Sequence, residues 1–140
     1  MANISIDDGR EAITINGDSD RVIYIQTADF NIYTRTVQAR KEIHSLLDVL
    51  DKEDCKTEED YADLLEDIDK KVREQINYIF NYDVSQPVFG LCSPLMSLKN
   101  GKCYVEEFLD AITPVIEESS KKAAKASEKR IAKHTKRYSK

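Results

Sequence analysis

The side chains of this chain that could do chemistry are two histidines, three cysteines and several adjacent pairs of carboxylates. His44 lies among apolar helix positions and His134 lies in a basic segment, and neither has a second ligand at metal-site spacing. The carboxylate pairs are Glu58-Glu59, Glu106-Glu107 and Glu117-Glu118. Nothing apolar beside them would raise one pKa for acid–base work, so solvated helix faces explain these pairs. The sequence therefore predicts no catalytic residue, no cofactor site and no metal site.

The cysteines and the remaining motifs point away from an enzyme. Cys55, Cys92 and Cys103 are odd in number and lack CxxC spacing, which favours reduced thiols in a cytoplasm. A disulfide between Cys92 and Cys103 is the alternative. The sequence contains no phosphate loop, nucleophile elbow or EF-hand pattern. It also has no secretory signal and no apolar run of the roughly 18–20 residues that span a bilayer, so we expect no membrane partner.

The charge of the chain changes sign near its C-terminal end. Residues 119–140, here called the basic tail, carry nine cations and one anion, for a charge of +8. The whole chain has a charge of −5, which leaves −13 on residues 1–118. An acidic body with a cationic extension suits binding of an anionic partner, or of the acidic body of another copy. The cations expected to make this contact are Lys121, Lys122, Lys125, Lys129, Arg130, Lys133, Lys136 and Arg137.

Three interpretations of the basic tail stay open at this point. Spaced Lys and Arg can replace condensed counterions on nucleic-acid phosphates. Against this, Tyr138 is the only aromatic residue of the tail, so no stacking platform is visible. The tail can instead dock on an acidic protein surface. In the third interpretation it is a solvated helix end, whose cations interact favourably with the helix dipole.

The first quarter of the chain predicts three short antiparallel strands between about residues 3 and 26. Alternating and β-branched residues form the strands, and the turn sequences at 7–10 (DDGR) and 16–19 (NGDS) separate them. So small a sheet must pack on a helix. The candidates for its buried face are Ile4, Ile6, Ile13, Ile15, Ile23 and Ile25.

Three main helices are predicted after the sheet. Apolar residues at three- and four-residue spacing place them at about 28–51, 58–81 and 103–118. The basic tail is expected to be a helical or frayed extension, because Ala and Lys favour helix but little of it would be buried. We therefore expect an α+β fold, with one domain over residues 1–118.

The predicted helices have recognisable starts and inner faces. Thr27 and Thr57 are the predicted N-caps of the first and second helices, and Asp29 is expected at the positive end of the first. The inner face of the first helix consists of Ile32, Thr36, Ala39, Ile43, Leu46 and Leu50. That of the second consists of Tyr61, Leu64, Leu65, Ile68, Val72, Gln75, Ile76 and Ile79. That of the third consists of Val105, Phe108, Leu109, Ile112 and Ile116.

The segment between the second and third helices, residues 81–101, has no clear hydrophobic period. It predicts a structured crossover with one short helical turn, and Asn100-Gly101 marks a tight turn. Four apolar residues of the crossover have no partner stripe and are the candidates for an exposed adhesive surface: Phe89, Leu91, Leu95 and Met96. The alternative is a loop that folds back to close the core.

Several segments spread along the chain carry a family resemblance. They are residues 18–25 (DSDRVIYI) with 28–31 (ADFN), residues 72–80 (VREQINYIF), residues 85–90 (SQPVFG) and residues 105–116 (VEEFLDAITPVI). In this order, and followed by a Lys/Arg-rich end, they resemble a family of short proteins from the tail modules of long-tailed phages and prophages of Firmicutes. The genes of that family lie between those of the tail tube protein and the tape-measure protein. This chain differs from the family in a longer segment before the last helix.

The resemblance implies a non-catalytic tail-assembly chaperone in the cytoplasm of the infected or lysogenic bacterial host. Its expected partners are the tape-measure protein and the tail tube protein. Self-association is also expected, with the cationic end of one copy near the acidic helices of another. The alternative function is a phage accessory protein that binds nucleic acid or a host protein through the basic tail.

Overall fold

A computed structural model describes residues 1–26, 29 and 31–138, with side chains described as far as residue 133 in the last helix. The elements are β1 (Arg10–Ile15), β2 (Asp18–Gln26), α1 (Asn31–Lys52), α2 (Glu58–Phe80), α3 (Ser85–Phe89) and α4 (Tyr104–Tyr138). The α+β class expected from the sequence is confirmed. None of the helices in these ranges is long and apolar enough to cross a membrane.

Strands β1 and β2 form one antiparallel hairpin around a tight turn at Asn16-Gly17. Both turn residues have positive φ, 55° and 70°, as a two-residue hairpin loop of this twist requires. The pairing is regular from Arg10↔Gln26 to Thr14↔Val22, and then shifts so that Ile15 faces Asp18. The shift leaves residues 19–21 as an irregular bulge, which re-aims the side chains that it carries.

The predicted third strand at the N-terminus is wrong. The described sheet has two strands, and Ile4 and Ile6 are 80% and 77% exposed instead of buried. The Asp7 and Asp8 carboxylates accept the backbone N–H groups of Gly9 and Arg10, so the predicted turn chemistry is present. The segment before it is too short to form more than a few ladder hydrogen bonds. These do not offset the entropy cost of ordering it beside an uncovered edge.

Helices α1 and α2 pack as an antiparallel hairpin, with Arg35 near the start of α1 donating to the Ile79 carbonyl at the end of α2. Thr57 caps α2 as expected, because its hydroxyl accepts the N–H of Asp60 at 3.0 Å. Thr27, the predicted cap of α1, lies outside the described residues. Asp29 does lie at the start of α1 and accepts the Asn31 N–H at 2.9 Å. The inner stripes are confirmed except for Tyr61, which is 48% exposed, and for Leu65 and Gln75, which are half-buried and lie outside the core cluster.

Helix α4 is longer than the predicted third helix. It runs without a break through Pro114 and through the basic tail to Tyr138, so the tail is helical as far as it is described. Its predicted inner residues, from Val105 to Ile116, are all buried. Beyond Ser119, which is the last buried residue of the described part, the helix extends past the core.

One hydrophobic core joins these elements. The side chains of Ile23 and Ile25 from β2 meet the inner stripes of α1, α2 and α4, while Ile13 and Ile15 of β1 pack at its margin. Val88 and Phe89 of α3 also belong to this core. The hairpin is thus stabilised by helices that cover one of its faces, as a two-stranded sheet requires.

Candidate binding surface

The crossover between α2 and α4 begins inside the core and then turns out to the surface. Val84, Val88 and Phe89 are fully buried. The Phe89 ring packs against the Tyr104 ring at 5.9 Å between centroids, and the Arg73 guanidinium lies 4.9 Å from its centre. The expectation that Phe89 belongs to an exposed surface is therefore corrected. Its ring faces inward from α3 and gains more from burial than it would from exposure, so this part of the crossover closes the core.

A tight turn at Gly90 then reverses the chain and directs Leu91 away from the body. Gly90 has φ 56° and ψ −119°, a conformation that a residue with a Cβ rarely adopts. The Cys92 N–H donates to the Phe89 carbonyl at 2.8 Å and closes the turn. Leu91, immediately after the glycine, is 106% exposed, which is as open as in an extended peptide.

Leu91, Leu95 and Met96 together form what we call the crossover patch. Met96 is 39% exposed, and Leu95 is half-buried with its inner side against the core. Leu95 and Met96 also line a shallow groove whose other wall is the first half of α2. Leu65 contributes an apolar side chain to that wall, and Glu66 and Asp69 contribute carboxylates. The groove is therefore apolar at its floor and acidic along one rim.

Backbone hydrogen bonds hold the crossover patch against the start of α4. The Tyr104 N–H donates to the Met96 carbonyl at 2.9 Å, and the Val105 N–H donates to the Pro94 carbonyl at 3.0 Å. The following residues form a small hairpin, with a bridge between Ser97 and Cys103 and the predicted turn at Asn100-Gly101. Residues 97–103 are thus an ordered hairpin.

Arg21 fixes the crossover from the sheet side, a role that the sequence analysis missed. Its Nε donates to the Pro87 carbonyl at 2.9 Å, and its Nη2 donates to the Val88 carbonyl at 2.6 Å and to the Tyr104 hydroxyl at 2.8 Å. The guanidinium therefore satisfies carbonyl groups at the end of α3, which has too few residues to satisfy them itself. No motif signals this role, because it follows from the bulge in β2.

The basic tail presents its cations to solvent. Lys121, Lys122, Lys125, Lys129, Arg130 and Lys133 are all exposed. None of them forms an ion pair with another described residue. The side chains of Lys136 and Arg137 lie outside the described part of the structure. The tail thus offers unpaired positive charge that a partner could use.

The surroundings of the cysteines and carboxylates are defined in the described part of the chain. All three thiols are free, so the alternative Cys92–Cys103 disulfide is not formed. Burial, followed by a hydrogen bond to Glu106, raises the pKa of the Cys103 thiol to about 11, which keeps it protonated and weakly nucleophilic at neutral pH. Among the described residues there is no group of three or more His, Cys, Asp or Glu side chains that could hold a metal ion.

Asp110 forms ion pairs with two cations from different parts of the chain. Asp110 on α4 accepts Lys102 Nζ at 2.7 Å and Arg40 Nη2 of α1 at 3.0 Å. Hydrogen bonding to Lys102 lowers the pKa of Asp110; partial burial opposes this, and Arg40 adds to it. These cations hold the carboxylate charged, so it has no tendency to act as a proton donor near neutral pH.

Comparison of this chain with protein-family models, with curated proteins and with solved structures finds no match.

Proposed function

We propose that this protein is a phage tail-assembly chaperone-like protein that binds the tape-measure protein, the tail tube protein or both during tail assembly. It would act without catalysis, in the cytoplasm of the infected or lysogenic bacterial host. The proposal combines the resemblance of four segments of the sequence with one structural observation. That observation is the exposure of two apolar side chains of the crossover, Leu91 and Met96, on a chain that is rich in charge.

The crossover patch has the properties that a holding surface needs. Leu91 is already outside the core, so its whole apolar side chain can contact a partner without any unfolding of this protein. The groove between Leu65 and Met96 can accept an apolar residue of a partner helix. Burying these side chains against a tape-measure segment would cover apolar surface on both proteins. The surrounding charge would keep such a complex in solution.

Co-expression tests this proposal. We expect a tape-measure fragment that is insoluble alone to become soluble when it is expressed with the wild-type chain. The double variant Leu91→Asp/Met96→Asp should lose this effect, because two carboxylates would have to be desolvated at the contact. Both sites are exposed, so the variant should stay folded, with its free energy of unfolding changed by about 0.5 kcal/mol or less.

The matched control changes two other exposed apolar residues, Ile4→Asp/Ile6→Asp. These side chains are 80% and 77% exposed and lie on the N-terminal segment, outside the crossover patch. The control should rescue the fragment as well as the wild type does. Absence of rescue by the wild type, or equal rescue by the wild type and the Leu91/Met96 variant, would contradict the proposal.

The second candidate function is binding of nucleic acid or a host protein through the basic tail. The observation that favours it is the set of six exposed and unpaired cations between residues 121 and 133. Nucleic-acid binding of this kind weakens steeply with salt, because condensed counterions are released from the phosphates. Binding of duplex DNA or RNA that is steeply salt-dependent and is lost on deletion of residues 121–140 would support this function.

A further inference from the structure

The basic tail is a helix whose cations lie on one face. At 3.6 residues per turn, the six described cations fall within an arc of about 180° around the helix axis. They are Lys121, Lys122, Lys125, Lys129, Arg130 and Lys133. The opposite side carries Ala124, Ser127, Glu128 and Ile131. The tail therefore has a cationic face and a weakly charged face, and this asymmetry favours a flat or grooved anionic partner.

This helix has little support from its own body. From residue 121 to 133 no side chain is buried, and the helix continues to Tyr138, so about 27 Å of helix lies beyond the core. A polar helix of this length is marginal in water without tertiary contacts. A partner that neutralises its cationic face would stabilise it.

A surface of opposite charge occurs elsewhere on the same molecule. Residues 48–67, which we call the acidic tip, comprise the end of α1, the linker and the start of α2. They contain ten carboxylates and two lysines, for a charge of −8. Among these carboxylates only Asp67 forms an ion pair with a described residue, with Lys71. Burial and then the carboxylates of Glu53, Asp60 and Asp54 raise the pKa of the Cys55 thiol, consistent with a negative potential there.

The tail cannot reach the acidic tip of its own chain while α4 stays one helix. Arg40 of α1 contacts Leu109 and Thr113 of α4. Further along α1, His44 and Leu47 lie beside the start of α4, at Lys102 and Glu106. The two helices are therefore antiparallel, and the tail points away from the tip. From the Arg40 contact, α1 continues about 18 Å toward the tip and α4 about 38 Å in the opposite direction.

We propose that the basic tail of one copy binds the acidic tip of a second copy through its cationic face. The six tail cations whose side chains are described are exposed, and so are the tip carboxylates other than the half-buried Asp48. The two segments have charges of +8 and −8, and the fold holds them at opposite ends of the molecule. Neither can therefore be neutralised within one chain. A pair of antiparallel copies would make the contact twice, and a row of copies would make it once per neighbour. This self-association does not rest on the proposed function, since it requires only the purified chain.

Sedimentation velocity of the purified full-length chain at low and high salt tests the proposal. We expect concentration-dependent association in about 0.01 M salt and dissociation in about 1 M salt, where the Debye length falls to about 3 Å. A tail-reversed variant, Lys121→Glu/Lys125→Glu/Lys129→Glu, should raise the Kd of association about tenfold or more at low salt. A tip-reversed variant, Asp51→Lys/Glu53→Lys/Asp54→Lys, should do the same.

Two further samples separate this contact from a general effect of charge. The matched control changes the net charge as the tail reversal does, but at exposed lysines outside both surfaces: Lys41→Glu/Lys70→Glu/Lys99→Glu. It should associate to within about twofold of the wild type. An equimolar mixture of the tail-reversed and tip-reversed variants should regain association, because the unchanged tail of the tip-reversed variant then meets the unchanged tip of the tail-reversed variant.

Several results would overturn the proposal. A wild-type chain that stays monomeric at low salt would do so, as would association that the tail reversal leaves unchanged. An equal loss in the control at Lys41, Lys70 and Lys99 would show a net-charge effect only. Failure of the mixture to regain association, with circular dichroism showing both variants folded, would show that these two surfaces do not meet.

Discussion

Arg21 shows how much of this fold depends on one side chain. It lies in the bulge of β2, where the shift in pairing directs it toward the helices. Its guanidinium donates hydrogen bonds to two carbonyl groups at the end of α3 and to the Tyr104 hydroxyl at the start of α4. The sheet, the crossover and the last helix are thereby joined at the base of the crossover patch. Only a planar guanidinium, with its several N–H donors, can donate hydrogen bonds to these three acceptors at once.

We therefore expect Arg21→Lys to destabilise the protein although the charge is retained. An ammonium group cannot reach all three acceptors, so the free energy of unfolding should fall by about 1–3 kcal/mol. The control is Arg10→Lys, at an exposed arginine whose guanidinium lies 4.8 Å above the Tyr24 ring. A lysine can keep that contact, so the control should change stability by less than about 0.5 kcal/mol. Urea unfolding measures both, and equal effects would contradict the role of Arg21.

Asp29 is a second residue whose charge joins elements. It accepts the Asn31 N–H and the Arg35 guanidinium, whose Nη2 lies 2.6 Å from Oδ2, and Arg35 also donates to the Ile79 carbonyl at the end of α2. Burial opposes ionisation of the carboxyl group. The Arg35 hydrogen bond, the Asn31 N–H and the charge of Arg35 outweigh it and lower the pKa of Asp29.

This lowered pKa predicts a pH-dependent contribution to stability. The folded state binds the Asp29 proton more weakly than the unfolded state, so the carboxylate stabilises the fold above its unfolded pKa, near pH 4. That contribution is lost as the pH falls through the lowered folded pKa. Asp29→Asn should therefore cost stability at pH 7, by about 1–2 kcal/mol, and much less at about pH 2. Urea unfolding at both pH values measures it, with Asp63→Asn, an exposed carboxylate, as the control; a constant difference would contradict the prediction.

The sequence predicted some of these residue roles and not others. Thr57 was predictable as a cap because capping depends on neighbours in the sequence, and Asp29 was expected at the start of α1 for the same reason. Arg21 was not, because its partners are more than 60 positions away. Phe89 was misplaced because an apolar residue in a loop without a period gives no sign of which way it faces.

At the scale of elements, the helices follow from periodicity and the sheet only in part. The stripes of α1, α2 and α4 repeat over several turns, and this makes their buried faces predictable. The N-terminal residues alternate between apolar and polar over only three positions, Ile4 to Ile6. Three positions are too few for periodicity to establish a strand. Whether such a segment pairs depends on a covered sheet edge, which the sequence does not reveal.

Deletion of residues 2–8 tests the two-stranded sheet. These residues are exposed and lie outside any element, so their loss should change the free energy of unfolding by about 0.5 kcal/mol or less. Deletion of a paired strand would instead expose core residues such as Ile23 and cost several kcal/mol. Urea unfolding of the chain without residues 2–8 shows whether this segment is unpaired or forms a strand. A loss of more than about 2 kcal/mol would indicate that the segment does pair as the sequence predicted.

At the scale of the whole molecule, negative and positive charge are separated along its length. The acidic tip lies at one end and the basic tail lies at the other. The crossover patch faces the first half of α2, where Leu65 and Glu66 also belong to the acidic tip. The surface therefore offers the crossover patch and two charged regions for contact with other macromolecules. Composition alone indicated the charge separation, but only the antiparallel packing of α1 and α4 shows that the charges lie at opposite ends. In this account the apolar patch holds a tail protein and the charged ends join copies of the chain.

Titration calorimetry of a purified tape-measure fragment with the purified chain tests the central claim most directly. We expect saturable binding with a negative heat-capacity change, because apolar surface is buried. Leu91→Asp/Met96→Asp should weaken it about tenfold or more, and Ile4→Asp/Ile6→Asp should leave it unchanged. Absence of binding to the wild-type chain, or binding of equal strength to the Leu91/Met96 variant, would contradict the account.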